Sequence, residues 1–366
     1  MGTGLDGRRS APSRRRTRRS DNGRGEGAKP GDGAAAPQGA GGKRARAEKD
    51  MLAAIDLGTN NCRLLVARPE GGGFRVVDAF SRIVRLGQGL GRSGRLADDA
   101  IERTMEALSI CVAKMRRRQV TRFRAVATEA CRSAGNGGAF LERVAAETGL
   151  TLEVISAEEE AALALAGCRP LFDPSVPGAL VFDIGGGSTE IAWQWSGAGS
   201  DPGEPKTAAL SMPVGVVTLA ERYGGDRFSA GAYEAMVEEI ASRLRAFERE
   251  HGIASTVAAG DVQLLGTSGT VTTLAGVWLD LPRYNRDRVD GVFLDVAETL
   301  SIARRLAGMD FAGRAAHPCI GRERADLVVA GCAILEAICR VWPVPRLRVA
   351  DRGVREGILF GLLAQQ

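Results

Sequence analysis

The chain has 366 residues, enough for two domains, and its content of 44% hydrophobic and 25% charged residues is that of a globular protein. The formal net charge of +5 comes from residues 1–50, which contain 13 Lys and Arg against 6 Asp and Glu, so the remainder is nearly neutral. Two histidines argue against a His-rich metal site or a Ser-His-Asp triad. Seven scattered cysteines without a C-x-x-C pair argue against a disulfide framework and predict reduced thiols.

Residues 1–49 are predicted to be a disordered basic tail, because Gly, Ala, Arg, Pro and Ser dominate them and cannot form a core. The run RRRTRR at residues 14–19 could bind a polyanion such as polyphosphate or RNA by counterion release. The alternatives are a solvated tail without a binding function, or a wrongly assigned start with Met51 as the true first residue. No apolar segment follows the basic one, and no apolar run is long enough to span a bilayer. We therefore expect a cytoplasmic protein without membrane contact.

From Met51 onward, hydrophobic periodicity predicts alternating strands and helices in the first half. The predicted strands are residues 51–55, 63–67, 74–80, 122–127 and 152–155, and the predicted helices are residues 96–118, 137–148 and 157–167. Ser156 is the expected N-cap of the last helix, with Glu159 completing a capping box. Two prolines and a glycine in residues 171–178 indicate a linker.

The second half repeats this order of elements. The predicted strands are residues 179–182, 190–195, 262–265 and 347–349, and the predicted helices are residues 231–251, 271–278, 294–307, 323–341 and 353–363. This alternation favours an α/β fold with a largely buried sheet in each half. We expect one domain over residues 50–175, to which residues 353–366 could be added, and a second over residues 176–352.

Two glycine-rich segments of the same design follow apolar strands in the two halves. Residues 56–61 read DLGTNN, and residues 183–190 read DIGGGSTE. Glycines let backbone N–H groups approach phosphate oxygens, and the leading aspartates, Asp56 and Asp183, are suited to Mg²⁺, which prefers oxygen ligands and substrate phosphates. The repeated design predicts a duplicated fold with phosphate and metal bound between its halves.

Six ordered motifs resemble the exopolyphosphatase / guanosine pentaphosphate phosphohydrolase family, within the superfamily of actin, sugar kinases and heat-shock ATPases. They are residues 54–63 (AIDLGTNNCR), 127–136 (ATEACRSAGN), 155–161 (ISAEEEA), 183–190, 266–273 (GTSGTVTT), and the pair 322–326 (RERAD) with 352–357 (RGVREG). The resemblance runs from about Met51 to the last residue. It implies a two-domain actin-like ATPase fold of the ribonuclease H-like type, with a mixed five-stranded sheet and flanking helices in each domain.

The resemblance also implies which residues act. Glu160 is expected to be the general base, and Arg63 and Arg324 are expected to face the interdomain cleft. Independently of the resemblance, the like charges of Glu158 and Glu159 would raise the pKa of Glu160 if these groups are close and desolvated. The expected metal ligands for Mg²⁺, or Mn²⁺, are Asp56, Asp183 and Glu190. The expected phosphate-binding residues are Gly58, Thr59, Asn60, Asn61, Arg132, Gly185, Gly186, Gly187, Ser188, Thr189, Gly266, Thr267, Ser268, Gly269 and Thr270.

The implied reaction is Mg²⁺-dependent release of a terminal phosphate from inorganic polyphosphate, from guanosine pentaphosphate, or from both. Two other functions stay open: a sensor that binds these polyanions without turnover, and a small-molecule kinase of the same superfamily. Relatives often form dimers, so a homodimer is also an expectation. The chain departs from many relatives in carrying Ala162 where they have arginine, and in ending soon after residue 357, which is typical of the short form.

Overall fold

The computed structural model describes residues 50–200, 205–224 and 228–365. The basic tail predicted for residues 1–49, and its proposed polyanion contact, lie outside this part of the chain. The strands in the described part are β1 (Leu52–Leu57), β2 (Asn61–Glu70), β3 (Gly73–Ile83), β4 (Arg122–Ala127), β5 (Glu153–Val154), β6 (Gly178–Ile184), β7 (Thr189–Trp195), β8 (Lys206–Met212), β9 (Val262–Thr267), β10 (Phe293–Asp295) and β11 (Arg346–Ala350).

The helices lie mainly between these strands. They are α1 (Leu90–Ser93), α2 (Asp98–Arg117), α3 (Glu129–Ser133), α4 (Gly137–Thr148), α5 (Ala157–Cys168), α6 (Val216–Tyr223), α7 (Ala230–His251), α8 (Ile253–Ala258), α9 (Gly269–Trp278), α10 (Arg286–Val289), α11 (Val296–Ala307), α12 (Phe311–Ala316), α13 (Val328–Val341) and α14 (Val354–Ala364). Within the described residues, none of them has the length and apolar character needed to cross a bilayer.

Both halves of the chain build a mixed sheet with the same central topology. The first has the order β3-β2-β1-β4-β5, and the second has the order β10-β11-β9-β6-β7-β8. In each, an antiparallel meander (β1-β2-β3 or β6-β7-β8) is followed by strands that run parallel to its first member. The expected α/β architecture with two mixed sheets is confirmed, and the shared order reflects a duplicated design.

The second sheet differs from the five-stranded expectation by its sixth strand, β10, which pairs antiparallel with β11. Sequence periodicity had assigned Leu294 to a helix. The helix α11 instead begins at Val296, because the Asp295 side chain accepts a hydrogen bond from the Glu298 N–H and caps it. A strand of three residues has too short a pattern to be recognised from sequence alone.

Other helix and strand boundaries also differ from those predicted from the sequence. The helix predicted from residue 323 begins at Val328, and the preceding residues form turns. The segments β8, α3 and α6 were not predicted at all. By contrast, the expected cap of α5 is present, with Ser156 Oγ accepting from the Glu159 N–H at 3.1 Å.

The helices α5 and α14 pack against each other with glycines at the contact. A Cβ atom at Gly357 would collide with the carbonyl oxygen of Leu163, and one at Gly167 would collide with that of Gly353. Side chains of α14, among them Ile358 and Leu359, also pack on the first sheet. Two helices from distant parts of the chain therefore meet backbone to backbone. The predicted domain boundaries themselves stay a prediction.

All seven cysteines are buried and carry free thiols. Cys62 and Cys111 are the pair that the structure brings near each other, with 4.0 Å between their Sγ atoms. Burial in an apolar core suits the thiol as a small hydrophobic group.

Candidate active site

Two β-hairpins place their charged residues at equivalent positions. In the first, Asp56 on β1 lies opposite Arg63 on β2, and in the second, Asp183 on β6 lies opposite Glu190 on β7. Directly opposite residues of an antiparallel pair bring their Cβ atoms to within about 5.5 Å. The turns match as well: the N–H of Gly58 donates to the Asn61 carbonyl, and that of Gly185 donates to the Ser188 carbonyl, both at 2.9 Å.

The two hairpin loops touch each other. A Cβ atom at Gly186 would lie 3.0 Å from Cβ of Thr59 and 3.1 Å from Cβ of Asn60, and one at Gly187 would lie 2.6 Å from Oγ1 of Thr59. These glycines are therefore required by loop-to-loop packing as well as by any ligand. Among the described residues, Thr59 Oγ1 and Asn60 Oδ1 are buried and have no hydrogen-bond partner. Such orphaned polar atoms are costly unless a ligand satisfies them.

The third glycine loop, between β9 and α9, brings two arginines together. A Cβ atom at Gly269 would lie 3.9 Å from Cζ of Arg324 and 4.0 Å from Nη2 of Arg63. Arg324 donates to Thr273 Oγ1 at 3.0 Å and forms no ion pair with a described residue, and Arg63 forms neither an ion pair nor a hydrogen bond with one. Burial and the nearby charge of Arg63 lower the pKa of Arg324. Two adjacent guanidinium groups, neither of them in an ion pair with a described residue, are suited to an anion.

Glu160 lies in the first turn of α5 and is largely buried, with 13% of its side chain exposed. Burial and the charge of Glu190 raise the pKa of Glu160 to about 9, against an opposing effect of Arg132. The sequence had attributed such a shift to Glu158 and Glu159, which was wrong. Glu158 is exposed, and Glu159 pairs with Arg124 at 2.5 Å.

Arg132 holds Glu160 in place. Its Nη2 lies 3.0 Å from Glu160 and 3.0 Å from Glu129, and its Nη1 donates to the Ile155 carbonyl at 2.6 Å. The guanidinium thus fixes the carboxylate from α3, a short helix that periodicity did not predict. With these partners, Arg132 does not line the cleft. Its predicted contact with substrate stays a prediction.

The acidic residues Asp56, Asp183 and Glu190 are buried, and they repel one another when they are ionised. Burial raises the pKa of Asp183 to about 6, and the charge of Asp56 adds to this shift, whereas Arg63 opposes it. Burial and the charge of Asp183 raise the pKa of Glu190 to about 7, and burial also raises the pKa of Asp56. A cation bound among these groups would relieve the repulsion.

The donor set fits Mg²⁺ only in part. Within the described residues, no three His, Cys, Asp or Glu side chains converge closely enough to form a complete metal site. Glu190 is 2% exposed and accepts a hydrogen bond from Ser211 at 2.9 Å, so it lies behind the cleft wall. Asp56 and Asp183 line the cleft. Mg²⁺ is commonly held by one or two carboxylates with waters and substrate phosphates, and this pair suits that mode.

One cleft collects most of the predicted residues. Those lining it are Asp56, Gly58, Thr59, Asn60, Asn61, Arg63, Glu160, Asp183, Gly185, Gly186, Gly187, Ser188, Ser268, Gly269, Thr270 and Arg324. Those that do not line it are Arg132, Thr189, Glu190, Gly266 and Thr267. Thr189 donates to the Val214 carbonyl, Thr267 donates to that of Arg352, and Gly266 packs on Phe182. The structure thus gives these three residues supporting contacts.

The cleft also has lining residues that the sequence did not single out. They include Val216 at the start of α6, and Leu327 and Val328 at the start of α13. These are apolar residues outside any charged motif. Aliphatic groups carry no chemical signature of function, so only the fold could reveal them.

An ion pair joins the two halves beside the cleft. Arg85, which follows β3, binds both carboxylate oxygens of Asp326, at 2.7 and 3.1 Å, and donates to the Glu323 carbonyl at 3.0 Å. Nearby, the N–H of Gly89 donates to Glu221 at 2.8 Å. Arg85 adopts a left-handed conformation with φ of 52°, which is unusual for a non-glycine residue. We call these contacts the Arg85 latch.

Comparison with known proteins agrees with this geometry. The structure is similar to that of an exopolyphosphatase-like protein, with 28% identity and a TM-score of 0.77 over 86% of this chain and 97% of the other. It is similar to a Ppx/GppA family member from Aquifex aeolicus, with 28% identity and a TM-score of 0.68 over 86% and 98%. An exopolyphosphatase from Cytophaga hutchinsonii, 22% identical, shares the fold with a TM-score of 0.76 over 86% and 98%.

These neighbours have the actin-like ATPase fold that the motifs implied. The sequence pattern of the Ppx/GppA phosphatase family matches residues 65–366, which include the second sheet, the first sheet from within β2 onward, helix α5 and the third glycine loop. The chain therefore belongs to the Ppx/GppA phosphatase family.

Proposed function

We propose that the protein hydrolyses a terminal phosphoanhydride bond of inorganic polyphosphate or of guanosine pentaphosphate, and that it requires Mg²⁺. The observation that supports this most directly is the convergence in one cleft of Glu160, the glycine loops and the unpaired Arg63 and Arg324. Family membership supports phosphoanhydride hydrolysis in general. The choice between the two substrates, and the metal, are part of the proposal.

In the proposed reaction, Glu160 accepts a proton from a water molecule whose oxygen attacks the terminal phosphorus. The bond from that phosphorus to the bridging oxygen breaks, and the shortened substrate leaves with the bonding electrons. Arg63 and Arg324 bind the transferred phosphoryl group, and backbone N–H groups of the loops bind its oxygens. Glu160 must be ionised to act, so neighbouring positive charge has to offset the burial that raises its pKa.

Asp56 and Asp183 are the residues proposed to hold Mg²⁺. When bound, the metal would supply charge neutralisation on the phosphate oxygens. It would also remove the repulsion that raises the pKa of Asp183. Glu190 then acts behind this pair, as an acidic residue held in place by Ser211.

Phosphate release from tripolyphosphate, long-chain polyphosphate and guanosine pentaphosphate, each with Mg²⁺, tests the proposal and ranks the substrates. Glu160→Gln should reduce turnover by about 10²- to 10⁴-fold while leaving binding largely intact, because an amide cannot accept the proton. Glu158→Gln is the matched control, since Glu158 lies in the same helical turn but is exposed. Binding of the substrates without release by the wild-type protein would favour the sensor function instead.

A further inference from the structure

A basic surface lies at the end of the first sheet that is opposite to the cleft. Asp56 lines the cleft near the end of β1, and the described chain begins six residues earlier, at Asp50. Six residues of extended chain span about 20 Å. At that far end, Asp50 pairs with Arg122 at 3.3 Å, and the Thr121 N–H donates to the Met51 carbonyl at 2.9 Å. This end of the sheet is therefore remote from the catalytic groups.

The last turns of α2 supply positive charge at this end of the sheet. Three of their cations share the carboxylate of Asp78 as their counter-ion: Lys114 at 2.8 Å, Arg117 at 3.0 Å and Arg118 at 2.9 Å. The fourth, Arg116, is exposed, and its guanidinium forms no ion pair or hydrogen bond with a described residue. Four cations with one carboxylate among them leave the end of α2 positively charged.

Residues 1–50 of the sequence add to this charge, because they contain 13 Lys and Arg against 6 Asp and Glu. They join the folded chain at Asp50, next to the contact between Met51 and Thr121. Arg118 precedes Thr121 by three residues, so these two residues lie within about 11 Å of each other. A basic segment of the chain thus joins the fold beside the basic end of α2.

Phe123, near the start of β4, is an exposed aromatic side chain at the same end of the sheet. Its ring is 46% exposed and makes no aromatic or cation contact with another described residue. The other phenylalanine of similar exposure, Phe293, is covered by the guanidinium of Arg348 at 4.9 Å. Phe123 shares a face of β4 with Ala125, which packs in the core that α2 covers. An open ring on the face beneath a basic helix is suited to stacking against a nucleic-acid base.

We propose that Phe123 and the three arginines at residues 116–118 form a binding surface for single-stranded nucleic acid, which we call the Phe123 surface. The arginines neutralise phosphates, and an unpaired base stacks on the Phe123 ring. Single strands fit because their bases can turn out of the strand, whereas the bases of a duplex are covered on both faces. Inorganic polyphosphate fits less well, because it has no apolar group that would cover the ring. This binding does not depend on hydrolysis in the cleft.

Fluorescence anisotropy of the full chain with labelled single strands of RNA and DNA, of about 15 nucleotides and one mixed sequence, tests the proposal. Phe123→Leu keeps an apolar side chain but removes the ring, and it should weaken binding about five- to thirtyfold. Arg116→Gln should weaken binding about three- to fivefold and reduce the slope of log affinity against log salt by about 0.7. The matched controls are Phe293→Leu and Arg249→Gln, because Arg249 is an exposed arginine without an ion pair to a described residue in the last turn of α7. Each control should change binding by less than about twofold.

Thermal unfolding would check that each variant is folded, and phosphate release from tripolyphosphate should be the same in Phe123→Leu, Arg116→Gln and the wild-type protein. Binding and hydrolysis can therefore fail independently. The proposal holds for either sugar, and the oligonucleotide that binds more tightly identifies the source of the strand. Binding that Arg116→Gln weakens and Phe123→Leu leaves unchanged would indicate a surface for any polyanion, polyphosphate included, and would overturn the proposal. An absence of binding at about 50 mM salt would overturn it as well.

Discussion

Replacing Arg132 should shift the pH dependence of activity. Its guanidinium lies 3.0 Å from a Glu160 side chain that is only 13% exposed. A charge-assisted contact of this kind contributes about 1–3 kcal/mol, and ~1.4 kcal/mol corresponds to one pKa unit. A cation stabilises the ionised carboxylate, so Arg132→Gln should raise the pKa of Glu160 by about one to two units.

The sign of the activity change follows from the role of the base. Glu160 acts when it is ionised, so kcat/KM rises with pH until that group is deprotonated. In Arg132→Gln this rising limb should move to higher pH by about one to two units. At pH values below the limb, kcat/KM of the variant should be about 10- to 100-fold lower than that of the wild-type protein. At pH values above the limb, activity should approach that of the wild-type protein.

The assay is the initial rate of phosphate release from tripolyphosphate, measured from about pH 6 to about pH 11 so that the range reaches the expected limb of the variant. Arg132→Lys is the control, because it keeps the charge but cannot bind Glu160, Glu129 and the Ile155 carbonyl together with one planar group. A loss of the same size at every pH, with a raised KM, would refute this reasoning. That result would instead mean that Arg132 contacts the substrate, as its motif suggested.

Three further predictions concern the metal, the latch and the core. Asp183→Asn should reduce apparent Mg²⁺ affinity by about 10- to 100-fold, and an unchanged Mg²⁺ titration would rule out metal binding there. Asp326→Asn should weaken the Arg85 latch and raise KM about two- to fivefold at nearly constant kcat, because the residues on the two sides of the cleft are then held together less firmly; a kcat effect alone would contradict this. Glu336→Gln should lower the free energy of unfolding by about 2 kcal/mol without altering activity, because buried Glu336 accepts hydrogen bonds from Arg304 and Tyr233 at 2.6 and 2.9 Å; an unchanged urea midpoint would refute it.

The sequence predicted the parts of the fold that have strong local signals. The strands β1 and β6, the glycine turns after them and the capped start of α5 follow from buried apolar runs, small residues and Ser156. The resemblance carried by six ordered motifs also predicted that Glu160, Arg63 and Arg324 lie at one cleft. Such residues are recognisable because their chemistry is unusual for the position that they occupy.

What the sequence could not predict depends on contacts between distant segments. The partner of Glu160 is Arg132, 28 positions away, and the charge that raises the pKa of Glu160 comes from Glu190 rather than from adjacent glutamates. Likewise, Arg286 has no motif around it, and its pairing with Glu356 depends on where α14 docks. Neither periodicity nor composition contains this information.

The backbone contact between α5 and α14 joins two helices that both begin beside the cleft. Glu160 lies near the beginning of α5 and Arg355 near the beginning of α14, while the glycines Gly167 and Gly357 allow the two helices to approach. Because helices are stiff over two or three turns, any group that separates the two helices at this crossing would displace Glu160 and Arg355 together. A side chain added at Gly167 or Gly357 would therefore move Glu160 and Arg355 together, although neither glycine lines the cleft.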